Sequence, residues 1–253
     1  MTREHTAGKC KRRWIIPGAI LAAIVIVCVA FAVYVGSYYR ADETALRAMS
    51  SADGISVEYT DGGDIVFAPP EPKAGLIFYP GGKVEYTAYA PLMRACAERG
   101  VLCVLVKMPC NLAVLDMNAA DGIAEQFPEV GNWYIGGHSL GGAMAASYAA
   151  GHSDELDGLI LLAAYSTKDL TESDLAVLSV YGTEDQVMSR EKYAEYRNNL
   201  PSGAIEAVIE GGCHAGFGSY GPQDGDGTPT ISGEEQIMQT AEWIADIVST
   251  PDR

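Results

Sequence analysis

One serine of this sequence stands between glycines, in a context that can activate its hydroxyl group as a nucleophile. Ser139 lies in the pentapeptide "GHSLG" at positions 137–141, which follows a short apolar run and precedes an alanine-rich one. A serine at the start of a helix often only caps that helix, but capping does not require a glycine on each side. A G-x-S-x-G pentapeptide between a strand and a helix instead predicts a nucleophilic serine held on a sharp turn.

A serine nucleophile needs a base, and His214 is the histidine whose position fits that role. It directly follows the last predicted strand, in "AVIEGGCHAGFG". His5 precedes the apolar N-terminal segment, and His152 follows the alanine-rich helix at the end away from the strand tips. His138 is the variable residue of the pentapeptide, and we expect its side chain to point away from that of the serine. The candidate base is therefore His214.

Asp185 is the candidate acid that orients the histidine and stabilises its charged form. The stretch "LSVYGTEDQVM" places two acidic residues, Glu184 and Asp185, directly after the penultimate predicted strand. Asp185 follows the glycine of this stretch by three residues, which suits the turn after the strand, whereas Glu184 is expected to be a surface neighbour. The candidate catalytic residues therefore occur along the chain in the order serine, aspartate, histidine.

Two backbone N–H groups are predicted to bind the negative charge that develops on a substrate oxygen. One belongs to Leu140, which follows the nucleophile and begins a helix, where N–H groups lack intrahelical partners. The other is expected in the loop "GGKVE", from Gly82 or Lys83. The glycines of this loop can also serve simply to turn the chain, and the two roles are compatible.

The elements that must position these residues form an alternating pattern of strands and helices. From Gly75 onward, short apolar runs alternate with helical patterns, which predicts an α/β fold: a doubly wound, mostly parallel sheet. The runs "ISVEYT" and "DIVFAP" on either side of "DGG" predict a hairpin at one edge, and "AVLDMNAADGIAEQF" is predicted to be helical. The stretch "YSTKDLTESD" is too short for a lid domain, so Ser139 is expected to be open to substrate.

An apolar segment before this domain predicts one transmembrane helix. Trp14–Val35 contains 22 residues without a charge, roughly 33 Å as a helix against a hydrocarbon core of ~30 Å. The basic residues before it favour a cytoplasmic N-terminus. A signal peptide cleaved near Ala32 is the rival interpretation, but the run is long for one, so a single-pass signal-anchor in the cell membrane is favoured. Both interpretations place the domain outside the cytoplasm.

The predicted organisation has four parts: a cytoplasmic basic tail (1–13), the membrane helix (14–35), a juxtamembrane linker (36–53) and the α/β domain (54–250). The first 35 residues hold five of the 17 Lys and Arg residues and one of the 33 Asp and Glu residues. The rest of the chain therefore carries a formal charge of about −20, which repels nucleic acid. We expect this charge to form a solvated surface and no nucleic-acid partner.

The sequence predicts no cofactor and no metal, and its cysteines leave one disulfide open. None of the six cysteines has C-x-x-C spacing, and Asp224 and Asp226 lack the spacing of a calcium loop. Cys110 and Cys213 each lie just beyond a predicted strand, so a disulfide between them is one alternative and two free thiols the other.

Several of these stretches together resemble those of a known enzyme family. "YPGGKVEYTAYAPL", "KMPCNLAVLDMN", "GGHSLGG", "GTEDQV" and "GCHAGFGSYGPQDGDGTPTIS" resemble the α/β-hydrolase superfamily, and within it the bacterial dienelactone-hydrolase-related group called alpha/beta hydrolase fold-5. The resemblance covers about residues 55–248. It implies a hydrolase that acts through an acyl-enzyme, with a triad at Ser139, Asp185 and His214. The HGGG motif of lipases is absent.

The sequence therefore predicts a membrane-anchored extracytoplasmic serine hydrolase whose substrate is a small molecule, an ester or another acyl compound, most plausibly a carboxylic ester. An acyltransferase or a peptidase that uses the same triad is the first alternative. A catalytically silent binding domain tethered to the membrane is the second.

Overall fold

The computed structural model describes residues 7–249, and the chain divides into two units after Ser37. His5 and the first part of the predicted basic tail lie outside the described residues. The first unit contains helix α1, Ala7–Gly36. Its stretch Ala19–Gly36 has a mean hydropathy of 2.8 and buries none of its residues, so by length and composition it suits either a membrane span or a signal sequence.

The second unit is built on one eight-stranded sheet, whose strands lie in the order β1-β2-β4-β3-β5-β6-β7-β8. The hairpin strands β1 and β2 are antiparallel, β2 pairs antiparallel with β4, and the remaining neighbours are parallel. The strands are β1 Ser56–Tyr59, β2 Ile65–Ala68, β3 Ala74–Tyr79, β4 Val101–Leu105, β5 Trp133–His138, β6 Gly158–Leu162, β7 Ala176–Gly182 and β8 Ile205–Ile209.

Helices cover both faces of this sheet. They are α2 Glu43–Ala48, α3 Ala90–Ala97, α4 Leu140–Ala149, α5 Arg190–Tyr196 and α6 Gly233–Val248. One core forms between the sheet and helices α3 and α6, and the other lies on the opposite face beneath α4. Successive residues of β3 alternate between the two cores, with Leu76 in the first and Ile77 in the second. Because both faces are covered, strands β3, β4 and β6 are apolar along their whole length, as their sequences indicated.

The predicted doubly wound sheet, its edge hairpin and the short connection in place of a lid are all present. The connection between β6 and β7, residues 163–175, contains no helix or strand. One predicted element is wrong, because "AVLDMNAADGIAEQF" forms only short 3-10 turns at Ala113–Leu115 and Ala124–Gln126. The buried hydroxyl of Tyr79 donates to the carbonyl of Met117 and accepts from the N–H of Ala120, both at 2.9 Å. These long-range bonds use backbone groups that a helix would have paired internally.

The segment predicted to be a juxtamembrane linker packs with the domain from Tyr38 onward. The carboxylate of Asp42 accepts hydrogen bonds from the backbone N–H groups of Thr44 and Ala45, which caps helix α2. Ala45 and Ala48 of that helix are buried. Residues of the expected linker are therefore part of the folded unit that carries the strand tips.

Candidate active site

Ser139 occupies a strained turn between strand β5 and helix α4. Its backbone has φ 52° and ψ −120°, in a region that residues other than glycine rarely adopt. Its N–H donates to the carbonyl of Leu162 at the tip of β6 at 2.9 Å. Although Ser139 stands at the N-cap position, its hydroxyl makes no capping hydrogen bond. Helix capping therefore does not explain why a serine is placed there.

The glycines on either side of this serine are required by the close approach of the turn to the end of β3. A Cβ atom added to Gly141 would lie 2.3 Å from the carbonyl oxygens of Tyr79 and Pro80. A Cβ atom on Gly137 would lie 2.6 Å from the same oxygen of Tyr79. Backbone atoms cannot yield to such contacts, so the two glycines set the position of the serine against the neighbouring strand.

Asp185 and His214 form a buried hydrogen-bonded pair. Asp185 Oδ2 lies 2.9 Å from His214 Nδ1, and both side chains are almost fully buried. Asp185 Oδ1 accepts the N–H groups of Val187 and Met188, each at 2.9 Å. Burial acts to raise the pKa of Asp185, but the hydrogen bond and charge of His214, together with these N–H groups, outweigh it and lower that pKa. The carboxylate is therefore ionised beside the imidazole.

The other ring nitrogen of the candidate base is uncommitted. His214 Nε2 is buried and has no hydrogen-bond partner among the described residues, so it makes no hydrogen bond to Ser139 in this structure. The His214 ring instead contacts the ring of His138, the residue before the serine, with centroids 4.5 Å apart. The structure thus pairs Asp185 with His214 directly, and it places the ring of His214 against that of His138, the residue before Ser139.

The backbone hydrogen bonds of the loop after β3 distinguish the two predicted oxyanion donors. The N–H of Lys83 donates to the carbonyl of Asn111 at 2.8 Å, and that of Gly81 donates to the hydroxyl of Tyr89 at 3.1 Å. Lys83 is therefore a wrong candidate, because its N–H is already used. Gly82 lies against the helix start: a Cβ added to it would be 2.9 Å from Leu140 Cδ2. The pair that remains is Gly82 and Leu140.

We expected the side chain of His138 to point away from that of Ser139, but not that it would contact the candidate base, which is where the structure places it. Its side chain is 1% exposed, its Nδ1 lies 2.8 Å from the Tyr89 hydroxyl, and its ring packs on His214 and Phe217. The alternation along β5 was the available signal, because it places His138 on the same face as Tyr134, toward α3 and α6. Burial, and then the neighbouring His214, lower the pKa of His138 well below its usual value.

Asp226 is a second residue whose role the sequence did not indicate. Its carboxylate accepts the N–H of Ala215, next to the candidate base, at 2.8 Å. It also accepts the N–H of Gln186, next to the candidate acid, at 3.3 Å. One carboxylate therefore connects the loop that carries His214 to the loop that carries Asp185.

The possible disulfide between Cys110 and Cys213 is not formed. Both thiols are free, and the two residues differ in environment: Cys110 is exposed on a tight turn, whereas Cys213 is buried in the core beneath α3 and α6. Burial, followed by the charge of Asp226, raises the pKa of Cys213 to about 11. The histidine loop is held by Asp226 and by packing rather than by a covalent bridge.

A mostly parallel sheet with helices on both faces, a strained serine turn at the tip of its fifth strand and a buried acid–histidine pair beyond two later strands define an α/β hydrolase. The chain belongs to the alpha/beta hydrolase family, whose sequence model matches residues 75–238. The resemblance seen in the sequence is confirmed at this level.

Solved structures share the fold at low sequence identity. A predicted CIB-like hydrolase from Thermoplasma acidophilum has 17% identity and a TM-score of 0.54, covering 76% of this chain and 98% of that one. Est1E from Butyrivibrio proteoclasticus has 15% identity and a TM-score of 0.55, covering 78% and 100%. A sugar hydrolase from Lactococcus lactis has 16% identity and a TM-score of 0.54, covering 77% and 96%. No curated protein matches the chain.

The buried, neutral imidazole of His138 predicts a specific loss of stability in mild acid. Unfolded, this histidine binds a proton below its usual pKa of 6.5, whereas the folded protein resists protonating it. Stability is therefore complete above pH 6.5 and falls as the pH drops toward the lowered folded pKa. Between pH 7.5 and pH 5.5, the free energy of unfolding should fall by about 1 kcal/mol more in the unchanged protein than in His138→Gln.

Chemical denaturation at the two pH values measures this difference. His152→Gln is the matched control, because His152 is only partly buried and stacks on Tyr148. The pH dependence of that variant gives the reference for removing a histidine elsewhere on the domain. Equal pH dependence in His138→Gln and the unchanged protein would contradict the prediction.

Proposed function

We propose that this protein is a serine hydrolase that cleaves carboxylic esters through an acyl-enzyme, with Ser139 as nucleophile, His214 as base and Asp185 as acid. The observation that carries the proposal is the buried His214–Asp185 pair, whose free Nε2 belongs to a ring in contact with the residue before Ser139. Burying an ionised carboxylate costs free energy unless it is paired, and here it is paired to a histidine with an unused nitrogen.

Acyl-enzyme formation follows from these positions. Ser139 Oγ attacks the ester carbonyl carbon while its proton passes to His214 Nε2, which requires the two atoms to come within hydrogen-bond distance when substrate is bound. The Asp185 carboxylate stabilises the imidazolium through the hydrogen bond to Nδ1. The carbonyl oxygen becomes an oxyanion, which the N–H groups of Leu140 and Gly82 bind.

Collapse of this tetrahedral intermediate expels the alcohol, which takes the proton from His214 Nε2 as it leaves. Water then attacks the acyl-enzyme, giving its proton to the same nitrogen, and the carboxylic acid is released as Ser139 recovers its hydrogen. The short connection between β6 and β7 supports an open site without a lid, which suits a small-molecule ester. An acyltransferase differs only in replacing the water by another alcohol or amine.

We also propose that α1 anchors the enzyme in the cell membrane, with its N-terminus in the cytoplasm and the hydrolase unit outside. The apolar, unburied stretch Ala19–Gly36 supports this proposal. The basic residues that precede it in the sequence favour the cytoplasmic side for the N-terminus.

Removal of either the nucleophile or the base should abolish turnover without unfolding the domain. Ser139→Ala and His214→Ala should each lower kcat on a short-chain aryl ester by about 10⁴-fold or more, because the triad acts as a unit. Asp185→Asn should be similarly severe, because the amide favours the wrong tautomer of His214. Steady-state kinetics gives kcat, and thermal melting checks the fold.

Ser147→Ala is the matched control, since Ser147 lies on helix α4, which begins directly after Ser139, and its hydroxyl donates to the carbonyl of Ala143. A fluorophosphonate probe should label the unchanged protein and Ser147→Ala but not Ser139→Ala. Turnover close to normal in Ser139→Ala or His214→Ala would refute the assignment. A panel of esters and amides, with and without an added alcohol, separates esterase from peptidase and acyltransferase.

The proposed topology predicts which side of the membrane is open to protease. In right-side-out membrane vesicles, added protease should digest the hydrolase unit, because the positively charged residues hold the N-terminus inside. In inverted vesicles the same unit should be protected. A soluble mature protein that begins near Val33 would show instead that the segment is a cleaved signal peptide.

A further inference from the structure

A short segment at the start of the domain is hydrogen-bonded to the loop that carries the candidate oxyanion donor. We call Tyr39–Asp42 the N-terminal strap. Tyr39 forms a parallel bridge with Val84: its N–H donates to the carbonyl of Lys83, and its carbonyl accepts the N–H of Glu85, both at 2.8 Å. The N–H of Ala41 donates to Glu85 Oε2 at 3.1 Å. Three hydrogen bonds thus hold the chain directly after Gly82.

The same strap is bonded to the loop that follows the candidate base. The hydroxyl of Tyr39 accepts the N–H of Asp224 at 3.0 Å, and the N–H of Asp42 donates to the carbonyl of Ser219 at 2.9 Å. The Tyr39 ring also packs on Tyr220, with centroids 5.6 Å apart. The strap therefore connects two loops that are far apart in the sequence and that act on the same tetrahedral centre in the proposed mechanism.

These contacts bear on the geometry of the two loops. Tyr39 is only partly buried, and the strap's contacts to the two loops are mostly backbone hydrogen bonds, each worth about 1 kcal/mol net. An oxyanion donor, in contrast, acts only within hydrogen-bond distance of the oxygen, and a displacement of about 1 Å can lower a rate about 100-fold.

We propose that the N-terminal strap sets the separation between Gly82 and His214, and that Tyr39 is its positioning residue. This inference rests on the proposed ester hydrolysis. It also explains why the folded unit begins directly after the apolar helix, because the first residues of the unit belong to the frame of the active site. A chain cleaved near Ala32 would keep the strap intact, so the inference holds for either fate of the apolar segment.

The test compares Tyr39→Ala and Tyr39→Phe with Tyr38→Ala in the full-length chain. Tyr38 is the matched control, because it is also a partly buried tyrosine, and its ring lies 4.8 Å from the guanidinium of Arg40. Tyr39→Ala should lower kcat on an aryl ester about 10- to 100-fold with KM changed less than about 2-fold, since the loss falls on the transition state.

Tyr39→Phe keeps the ring on Tyr220 and loses only the acceptor for Asp224, so its kcat should lie between those of Tyr39→Ala and the unchanged protein. Tyr38→Ala should stay within about 2-fold of the unchanged protein. A kcat for Tyr39→Ala equal to that of Tyr38→Ala, even with a lowered melting temperature, would overturn the positioning role.

Amide hydrogen exchange gives a readout that does not depend on catalysis. Peptides that cover residues 214–226 should exchange faster in Tyr39→Ala than in Tyr38→Ala, because that loop loses the ring and the hydroxyl acceptor of Tyr39, whereas residues 80–86 keep their backbone hydrogen bonds to position 39. Unchanged exchange in residues 214–226 would overturn the inference. If Ser139→Ala turned over as fast as the unchanged protein, the proposed hydrolysis would fail, and the exchange data would still decide whether Tyr39 holds the loop that follows His214.

Discussion

The candidate site depends on the contact between the serine turn and the end of β3, where backbone meets backbone without room for a Cβ atom. Gly137 and Gly141 allow the turn to rest on the carbonyls of Tyr79 and Pro80. The chain continues from Pro80 directly into the loop of Gly82, so the same contact that places Ser139 also places the oxyanion loop beside the start of α4. The strained backbone of Ser139 is maintained because the strand, the helix and this loop all pack on the turn.

A buried aromatic layer beneath this contact joins loops that come from distant parts of the chain. The Tyr89 hydroxyl accepts from Gly81 and meets His138, whose ring packs on His214. The hydrogen bonds of Tyr89 tie the loop of Gly81 to the residue before Ser139, and the ring contact extends that constraint to His214. The carboxylate of Asp226 likewise accepts hydrogen bonds from the loop that carries Asp185 and from the loop that carries His214. The loops of the candidate site are thus held in place by shared contacts rather than by separate ones.

The strands and the order of the catalytic candidates could be predicted because both are local signals: apolar runs of strand length, and residues that directly follow them. The features that sequence did not reveal are long-range. The sequence of residues 113–127 predicts a helix, but the hydroxyl of Tyr79 forms hydrogen bonds with backbone groups of that segment. Lys83 and Gly82 could not be separated without knowing that Asn111 accepts from one of them. The Cys110–Cys213 bridge failed because topology places residues at one edge of the sheet without fixing their depth or their distance.

The segment between β4 and β5 forms short turns instead of the predicted helix, and this affects where the fold can accept insertions. A regular helix resists insertions, because each added residue rotates everything after it relative to the core. Here the chain is held by short turns, by the Tyr79 hydroxyl and by a few buried side chains, among them Ala113 and Ala120, so extra residues can bulge into solvent between these points while the strands on either side keep their register. Val114 and Leu115 already stand exposed on this segment. Insertions in this segment can therefore add new surface beside the sheet while the serine turn stays unchanged.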